Sequence, residues 1–428
     1  MSSSRRFRLR QYWQNNLWMI PVISAFAGAL FAFAMVALDK SWDSLDRLNY
    51  EEGVATAILT SLLGATVTFS GFTFTMLLLV PQFGGSQLSA RVLQHLYRDI
   101  KLKITFGMFI GTLLYIFVVL SHMRNGFVPG VSLWLAGWLV LTSILIFLAF
   151  VSHFIQNLRP ATAASAIEME GRRVFDRVYT RPYSAKLPPR IGRNDLMAAE
   201  TAVEICRKGP GGVILAIDED ALIEVAERAD CVLVLTLAVG DYLSSGDVMV
   251  EVYGAKTPLP ENIFEELIAL GAERTFEQDP SFALRILVDI STKALSPAIN
   301  DPTTASNVVD RIEDLLMVLM RRDLNVGRLH DAEGKLRVIV PTPSWDEYLA
   351  IAVTEIRQYG CTSIQVIRRL RRMLDDLLDA APAAYEPSLR AEFHVLNETA
   401  KRGFPEEADL ALAGVGPLLR EIRRASSA

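Results

Sequence analysis

The stretch LWMIPVISAFAGALFAFAMVALD, residues 17–39, decides the class of this protein. It holds no charged residue before Asp39, and a helix needs about 20 mainly apolar residues to cross a bilayer. The apolar run is too long for the core of a secretory signal, and no small-residue cleavage site leads from it into a polar chain. We therefore interpret these residues as a membrane span.

Three further apolar stretches occur before residue 160, at 54–81, 104–122 and 131–155. The chain of 428 residues is 51% hydrophobic, and its mean hydropathy of +0.27 exceeds that of ordinary soluble proteins. The sequence predicts four transmembrane helices arranged as two hairpins.

Basic residues on the predicted loops indicate how the spans are oriented. They cluster in the N-terminal tail, in the second connection and after the fourth span: Arg5, Arg6, Arg8, Arg10, Arg91, Arg98, Lys101, Lys103, Arg159, Arg172 and Arg173. The first connection is mixed and acidic. Because cytoplasmic loops carry the excess of Lys and Arg, we expect both termini in the cytoplasm of a bacterial inner membrane. The widely spaced Cys206, Cys231 and Cys361 fit a reducing compartment.

Composition and motifs exclude several function classes. A net charge of −5 disfavours nucleic acid as a partner, since that binding needs a basic surface. The sequence contains no nucleophile-elbow, zincin, phosphate-loop or dinucleotide motif. Its five histidines are scattered without ligand spacing. We therefore expect no enzyme, no catalytic residue, no metal site and no cofactor.

The second span, TSLLGATVTFSGFTFTMLLLVPQF at 60–83, is rich in small and hydroxyl residues. At 100° per residue, Thr66, Ser70 and Thr73 share one face. The opposite face contains Gly64, Thr68, Gly71 and Thr75. Such residues serve close helix packing or line a pathway for ions or water in an oligomer. On the second interpretation, Thr66, Ser70 and Thr73 are the pore-lining candidates.

Residues 201–260 form a small β-rich module in our interpretation. The pattern predicts strands at 212–217, 231–236 and 248–253 and a helix at 219–228. The fold class is therefore a four-helix membrane domain (1–157) followed by a cytoplasmic α+β part. That part comprises a connector (158–200), the β-module (201–260) and a mainly helical domain (261–428).

Two predicted helices in this last domain begin alike. Asp279 precedes Pro280 and Asp301 precedes Pro302, and an Asp N-cap followed by Pro is a strong start signal. The stretch ALSPAINDPTTA, 294–305, lies between the two helices. It is interpreted as a rigid joint, as a subunit-interface or ligand site, or as a catalytic centre. The candidate residues for an interface or ligand are Ser296, Asn300, Asp301, Thr303 and Thr304.

Three stretches of this chain resemble a bacterial family of predicted membrane proteins of unknown function. They are the Ser/Thr-rich second span with SQLSARVLQHLYRD, the stretch AVGDYLSSGD, and GAERTFEQDPSFALRILVDISTKALSPAINDPTTA, which is the most specific. The family usually begins the motif after the second span with residues like SQFSPR, whereas Leu88 and Ala90 stand here. The resemblance covers nearly the whole chain and implies the membrane topology. It carries no established catalytic residues.

Two functions are compatible with this sequence. The first is a homo-oligomeric ion channel or pore that the cytoplasmic domain gates. The alternative is a membrane-anchored sensor or scaffold without conduction. Both imply contact with membrane lipid, and both allow a small-molecule effector.

The expected orientation is testable by cysteine labelling in intact cells. Single cysteines at Ser44 and Gly126 should react with a membrane-impermeant maleimide from outside, because both lie in loops that carry few basic residues. A cysteine at Ser184 should react only after the membrane is opened. Labelling at Ser184 in intact cells would contradict the topology.

Overall fold

The computed structural model describes residues 16, 18–41, 50–87, 100–123, 127–157, 159–184, 202–257, 259–260 and 262–414. Ser44, Gly126, Leu88, Ala90 and the end of the predicted connector lie outside these residues. The chain divides into two compact units, a membrane unit within Leu9–Thr162 and a C-terminal unit within Ala163–Ala428. Each unit is described by itself below.

Long helices form the described part of the membrane unit. They are α1 (Met19–Ser41), α2 (Glu52–Gln87), α3 (Ile100–Ser121) and α4 (Gly130–Asn157). Each contains a segment long and apolar enough to cross a membrane: Met19–Ser41, Glu52–Met76, Ile100–Ser121 and Gly130–His153. The prediction of four spans is confirmed.

Helices α1 and α3 make a very close crossing through small residues. A Cβ added at Gly28 would overlap the carbonyl oxygen of Gly111. A Cβ at Gly107 would lie 2.7 Å from the Ser24 hydroxyl, and one at Gly111 would lie 2.9 Å from the Ser24 carbonyl oxygen. Gly107 and Gly111 are spaced as a GxxxG pair, which allows helix backbones to approach in a membrane.

Asp39 joins the end of α1 to the start of α4. Its carboxylate accepts hydrogen bonds from the backbone N–H groups of Val131 (3.2 Å) and Ser132 (3.0 Å) and from the Ser132 hydroxyl (2.6 Å). The first N–H groups of a helix have no partner within the helix. An acidic side chain from another helix therefore caps α4 and complements its dipole.

The C-terminal unit begins with helix α5 (Pro160–Val178) and continues with a β-rich region. The elements there are β1 (Val203–Cys206), β2 (Gly212–Ile217), α6 (Glu219–Ala229), β3 (Val232–Leu235), β4 (Tyr242–Leu243), β5 (Val248–Tyr253), α7 (Asn262–Leu267) and β6 (Ile268–Gly271). Three strands and one helix thus lie where hydrophobic patterning predicts them, to within one residue at either end.

The remaining elements extend this region and cover it with helices. They are α8 (Ser281–Ala294), α9 (Pro302–Leu319), β7 (Arg328–His330), β8 (Leu336–Ile339), α10 (Trp345–Tyr359), α11 (Ile364–Ala380), α12 (Glu386–Gly403) and α13 (Glu407–Leu412). One sheet has the order β1-β5-β3-β8-β7 and the other the order β4-β2-β6. Because β8 pairs in parallel with β3, the late β7–β8 hairpin belongs to the same sheet as the early strands.

Helix α9 forms the centre of the helical layer. Its apolar stripe is fully buried: Val308, Ile312, Leu315, Leu316 and Leu319. Helix α11 packs on α9 with its own apolar face, and Arg369 on α11 pairs with Asp310 and Glu313 on α9. The apolar face of α11 is therefore covered within its own chain.

Helix α5 packs tightly into the C-terminal unit at Gly171. A Cβ at this position would lie 2.7 Å from the Ala283 side chain on α8 and 3.2 Å from that of Leu315 on α9. Buried Glu168, one turn earlier, pairs with Arg172 (2.7 Å) and with Arg311 on α9 (3.3 Å). These contacts fix the middle of α5, and the end of α5 leads into the site described next.

Candidate functional site

The joint between α8 and α9 has the cap that the sequence predicts at Asp301. Its carboxylate accepts hydrogen bonds from the Thr304 backbone N–H (3.0 Å) and from the Thr304 hydroxyl (2.5 Å), and Pro302 is the first helical residue. These hydrogen bonds lower the pKa of Asp301. The Asp301 cap is confirmed.

The rest of the joint is a tight turn closed by its own backbone. Helix α8 ends at Ala294, close to the predicted end at Ser296, and the Asp301 N–H donates to the Ala294 carbonyl oxygen (2.8 Å). Asn300 adopts a left-handed backbone (φ 50°), which Asn tolerates better than most residues. The Ser296 hydroxyl donates to the Lys293 carbonyl oxygen (2.7 Å).

Local hydrogen bonds thus account for most of the polar groups in the joint. Ser296, Asp301 and Thr304 bond within the turn, whereas Asn300 and Thr303 are exposed. An interface or ligand role for these five residues stays a prediction.

The start of α8 differs from the predicted cap at Asp279 by one residue, and Arg274 shares the Asp279 carboxylate. Helix α8 begins one residue later than the pattern predicts, at Ser281, and Pro280 holds the cap position without a side-chain hydrogen bond. Buried Asp279 instead accepts two hydrogen bonds from Arg274, from Nε (2.6 Å) and from Nη2 (2.9 Å). It also accepts from the Ser281 N–H (3.1 Å) and hydroxyl (2.8 Å).

This Arg274–Asp279 ion pair lies against the turn at Gly240. A Cβ on Gly240 would overlap the Asp279 carboxylate and lie 2.8 Å from Arg274 Nη2. Gly240 also has a positive φ of 96°, which glycine adopts without steric cost. Two of the three stretches that carry the family resemblance, AVGDYLSSGD and GAERTFEQDPSFALRILVDISTKALSPAINDPTTA, therefore meet at this ion pair.

A second turn repeats the geometry of the first. In each turn an aspartate accepts a hydrogen bond from the backbone N–H three residues before it, Asp241 from Ala238 (2.9 Å) and Asp247 from Ser244 (2.8 Å). Gly246 has a φ of 90°, like Gly240, but a Cβ there would meet open space. The second turn therefore serves as an internal control for the first.

Gly240→Ala and Gly246→Ala separate backbone strain from crowding at the ion pair. Positive φ alone should destabilise each variant by about 1–3 kcal/mol. Gly240→Ala should lower the melting temperature of the full-length protein clearly further, because its methyl group displaces the Asp279 carboxylate. Calorimetry of both variants in one detergent measures the difference. Equal melting temperatures would contradict the role assigned to Gly240.

A cleft of about 400 Å³ opens in the C-terminal unit beside the ion pair. Six stretches of the chain line it: 177–179, 217–220, 238–239, Gln278 with Pro280, 326–327 and 340–343. Asp279 lies between two lining residues, and Gly240 follows another, Val239. The ion pair therefore lies directly beside two of the segments that line the cleft.

Further hydrogen bonds fix the other walls. The Gln278 side chain pairs with the backbone of Ile217, accepting from its N–H (2.8 Å) and donating to its carbonyl oxygen (3.1 Å). The Tyr179 and Tyr348 hydroxyls lie 2.6 Å apart in the core. Burial raises the pKa of Tyr348 well above its usual value, so the phenol stays protonated. The cleft is thus built from constrained segments.

Charged groups in the cleft are mainly acidic. Asp218, Glu219 and Asp220 line it at the start of α6, and Arg177 lines it at the end of α5. Asp218 caps α6 through the Ala221 N–H (3.4 Å). Burial, together with the charge of Asp220, raises the pKa of Glu219. The guanidinium of Arg177 donates to the Glu277 carbonyl oxygen (2.7 Å).

The pore-lining candidates of α2 face the interior of the membrane unit. Thr66 and Thr73 are buried and Ser70 is half-buried. Each hydroxyl donates to the carbonyl oxygen four residues earlier, at 2.7 to 2.8 Å. The opposite face is exposed: Gly64, Thr68, Gly71 and Thr75. Whether Thr66, Ser70 and Thr73 line a pathway stays a prediction.

Aromatic rings occupy the interior near these hydroxyls. Phe69, Phe109 and Phe147 pack together with ring centroids 5.9 to 6.1 Å apart. The Thr112 and Ser143 hydroxyls lie 3.1 Å apart and are buried. The interior of the unit is therefore filled at this level.

The sequence did not reveal the cleft, because its lining is spread from residue 177 to residue 343. One available signal was the pair of Gly-Asp turns, Gly240-Asp241 and Gly246-Asp247, together with the acidic start of α6. In the described part of the chain no group of three or more His, Cys, Asp and Glu side chains is arranged to hold a metal ion.

Comparison with known proteins gives relatives without assigned activities. The family model described as predicted membrane protein (DUF2254) matches residues 14–376. An uncharacterized protein of Mycobacterium tuberculosis is 27% identical over 96% of this chain and 81% of its own length. An uncharacterized protein of Mycobacterium bovis has the same identity and coverage. No solved structure matches.

Proposed function

We propose that this chain, which belongs to the DUF2254 family of predicted membrane proteins, is a membrane-anchored sensor that binds a small molecule in the cleft of its C-terminal unit. The observation that carries the proposal is the cleft itself. Its volume of about 400 Å³ falls within the range of about 300–1,000 Å³ that is usual for small-molecule sites.

The construction of the cleft supports a binding role. Apolar side chains such as Ile217, Val239 and Val340 alternate around it with a few charged groups. This combination is typical of ligand sites, where apolar surface supplies affinity and a few polar groups fix orientation. The ion pair, the Gln278 bridge and the Tyr179–Tyr348 contact hold the walls before any ligand arrives, which reduces the entropy cost of binding.

We also propose that the cleft is not catalytic. A hydroxyl or thiol nucleophile needs a general base beside it. Among the described residues that line the cleft, none is histidine, cysteine or serine, and the Thr342 hydroxyl donates to the Leu324 carbonyl oxygen (3.4 Å). Tyr179 is bonded to Tyr348 in the core.

The sensor proposal predicts retention of a small molecule by the cleft. Full-length protein in nanodiscs would be dialysed against defined pools of polar metabolites, and retained compounds would be identified by mass spectrometry. Ala238→Phe should abolish retention, because Ala238 lines the cleft. Ala332→Phe, in an exposed turn outside the cleft, is the matched control. The proposal would be contradicted if no compound were retained, or if Ala238→Phe left retention unchanged.

A second candidate function is passive ion permeation through a homo-oligomer, gated by the C-terminal unit. The exposed face of α2 favours it, since a Cβ on Gly64 or Gly71 would meet no atom within 4 Å. Such a face lets a second copy approach closely, and it would bring the Thr68 and Thr75 hydroxyls to the axis between copies. The buried Thr66, Ser70 and Thr73 would instead require a pathway inside each unit.

Two sets of substitutions on α2 test permeation and locate its lining. One set replaces the buried hydroxyls (Thr66→Val, Ser70→Ala, Thr73→Val), and the other replaces the exposed ones (Thr68→Val, Thr75→Val). The Thr68 and Thr75 hydroxyls donate to the carbonyl oxygen four residues earlier, as the buried hydroxyls do. Both sets therefore remove the same kind of hydrogen bond and differ in the face of α2 that they change. If copies form the pathway, voltage-driven cation flux into proteoliposomes should fall only with the exposed set. Absence of wild-type flux, or a monomeric mass in nanodiscs, would contradict this candidate.

We propose a bacterial inner-membrane location, with the C-terminal unit in the cytoplasm. The basic residues of the N-terminal tail and of the second connection support this orientation. A cytoplasmic cleft would sample the metabolites of the cell.

A further inference from the structure

We propose that the cleft selects small organic cations, specifically aliphatic amines. This inference rests on the proposed function, because it names the class of ligand that the sensor would take.

The side chains that line the cleft carry a net negative charge. Three carboxylates, those of Asp218, Glu219 and Asp220, face one guanidinium, that of Arg177. Arg177 is already engaged by Glu277, through its carbonyl oxygen (2.7 Å) and its carboxylate (3.5 Å). A cleft with an excess of one sign and low-dielectric walls concentrates ions of the opposite sign.

The three carboxylates differ in whether a hydrogen bond within the fold engages them. Asp218 is used by the fold, because it caps α6. In the described part of the chain, no hydrogen bond or ion pair engages the carboxylate of Glu219 or Asp220. Both side chains are exposed to solvent, and the start of α6 stabilises their negative charge. Neither has a positively charged partner among the described residues, so both are free to receive a bound ammonium group.

Apolar side chains also line the cleft and favour an organic ligand. Ile217, Val239, Val326 and Val340 line the cleft, and so do three prolines: Pro280, Pro341 and Pro343. Removing apolar surface from water contributes roughly 25 cal/mol per Å². A hydrated metal ion gains nothing from such walls, whereas the methylene chain of an amine does. This surface favours an organic cation over an inorganic one.

Three four-carbon probes test the charge preference at constant length. Putrescine carries two ammonium groups, 1,4-butanediol is neutral and succinate carries two carboxylates. Each would be titrated by calorimetry into the full-length protein in nanodiscs of neutral lipid. Putrescine should bind, and its affinity should fall with added salt, since salt screens charge attraction. The diol and succinate should bind at least tenfold more weakly.

Two variants locate the putrescine site. Glu219→Gln with Asp220→Asn removes both uncompensated charges at nearly constant shape and should weaken putrescine binding at least tenfold, or about 1.4 kcal/mol. Glu227→Gln lies on the same helix, is exposed and does not line the cleft. It should bind putrescine like the wild type. Unchanged melting temperatures without ligand show that both proteins are folded.

The outcomes separate this inference from the proposed function. Succinate or butanediol binding that Ala238→Phe abolishes, without putrescine binding, would overturn the amine preference and leave the sensor intact. Putrescine binding that the double variant leaves unchanged would also overturn it, because the carboxylates would then not be the recognition groups. If no probe and no metabolite binds, both proposals fail.

Discussion

The ion pair between half-buried Arg274 and buried Asp279 is the interaction that brings the start of α8 against the turn at Gly240. It fixes the start of α8, accepts the Ser281 N–H and packs against the turn at Gly240. Because Asp279 is buried, replacing Arg274 would leave the Asp279 carboxylate without its positive partner, which is destabilising. The pair thus lies where the turn of the β-rich region meets the start of α8.

The cleft lies beside this ion pair. Two of its lining stretches, 238–239 and Gln278 with Pro280, adjoin Gly240 and Asp279. The other stretches come from the end of α5, from the end of β2 with the start of α6, and from the segments that flank the β7–β8 hairpin. Because α5 follows α4 after only two residues, one wall of the cleft is close in sequence to the fourth membrane span. This connection fits the proposed sensor, which would report on small molecules at a membrane.

Sequence patterns predicted the elements better than the site. Spans and strands could be predicted because apolar periodicity depends on local residues. The Asp301 cap could be predicted because its partner, Thr304, is only three residues away. Asp279 has the same local pattern, but Arg274 competes for its carboxylate. The cleft joins residues more than 160 positions apart, and no local pattern encodes such a meeting. The close crossing of α1 and α3 uses Gly107 and Gly111, a GxxxG pair that is visible in the sequence itself.

Hydrogen–deuterium exchange of the full-length protein in nanodiscs, with and without saturating putrescine, tests the central claim most directly. If the cleft is the ligand site, exchange should slow in peptides that cover 217–220, 238–239 and 340–343, and it should stay unchanged in the α8–α9 joint at 294–305. Slower exchange confined to the joint, or no change in the cleft peptides while putrescine is bound, would contradict the account.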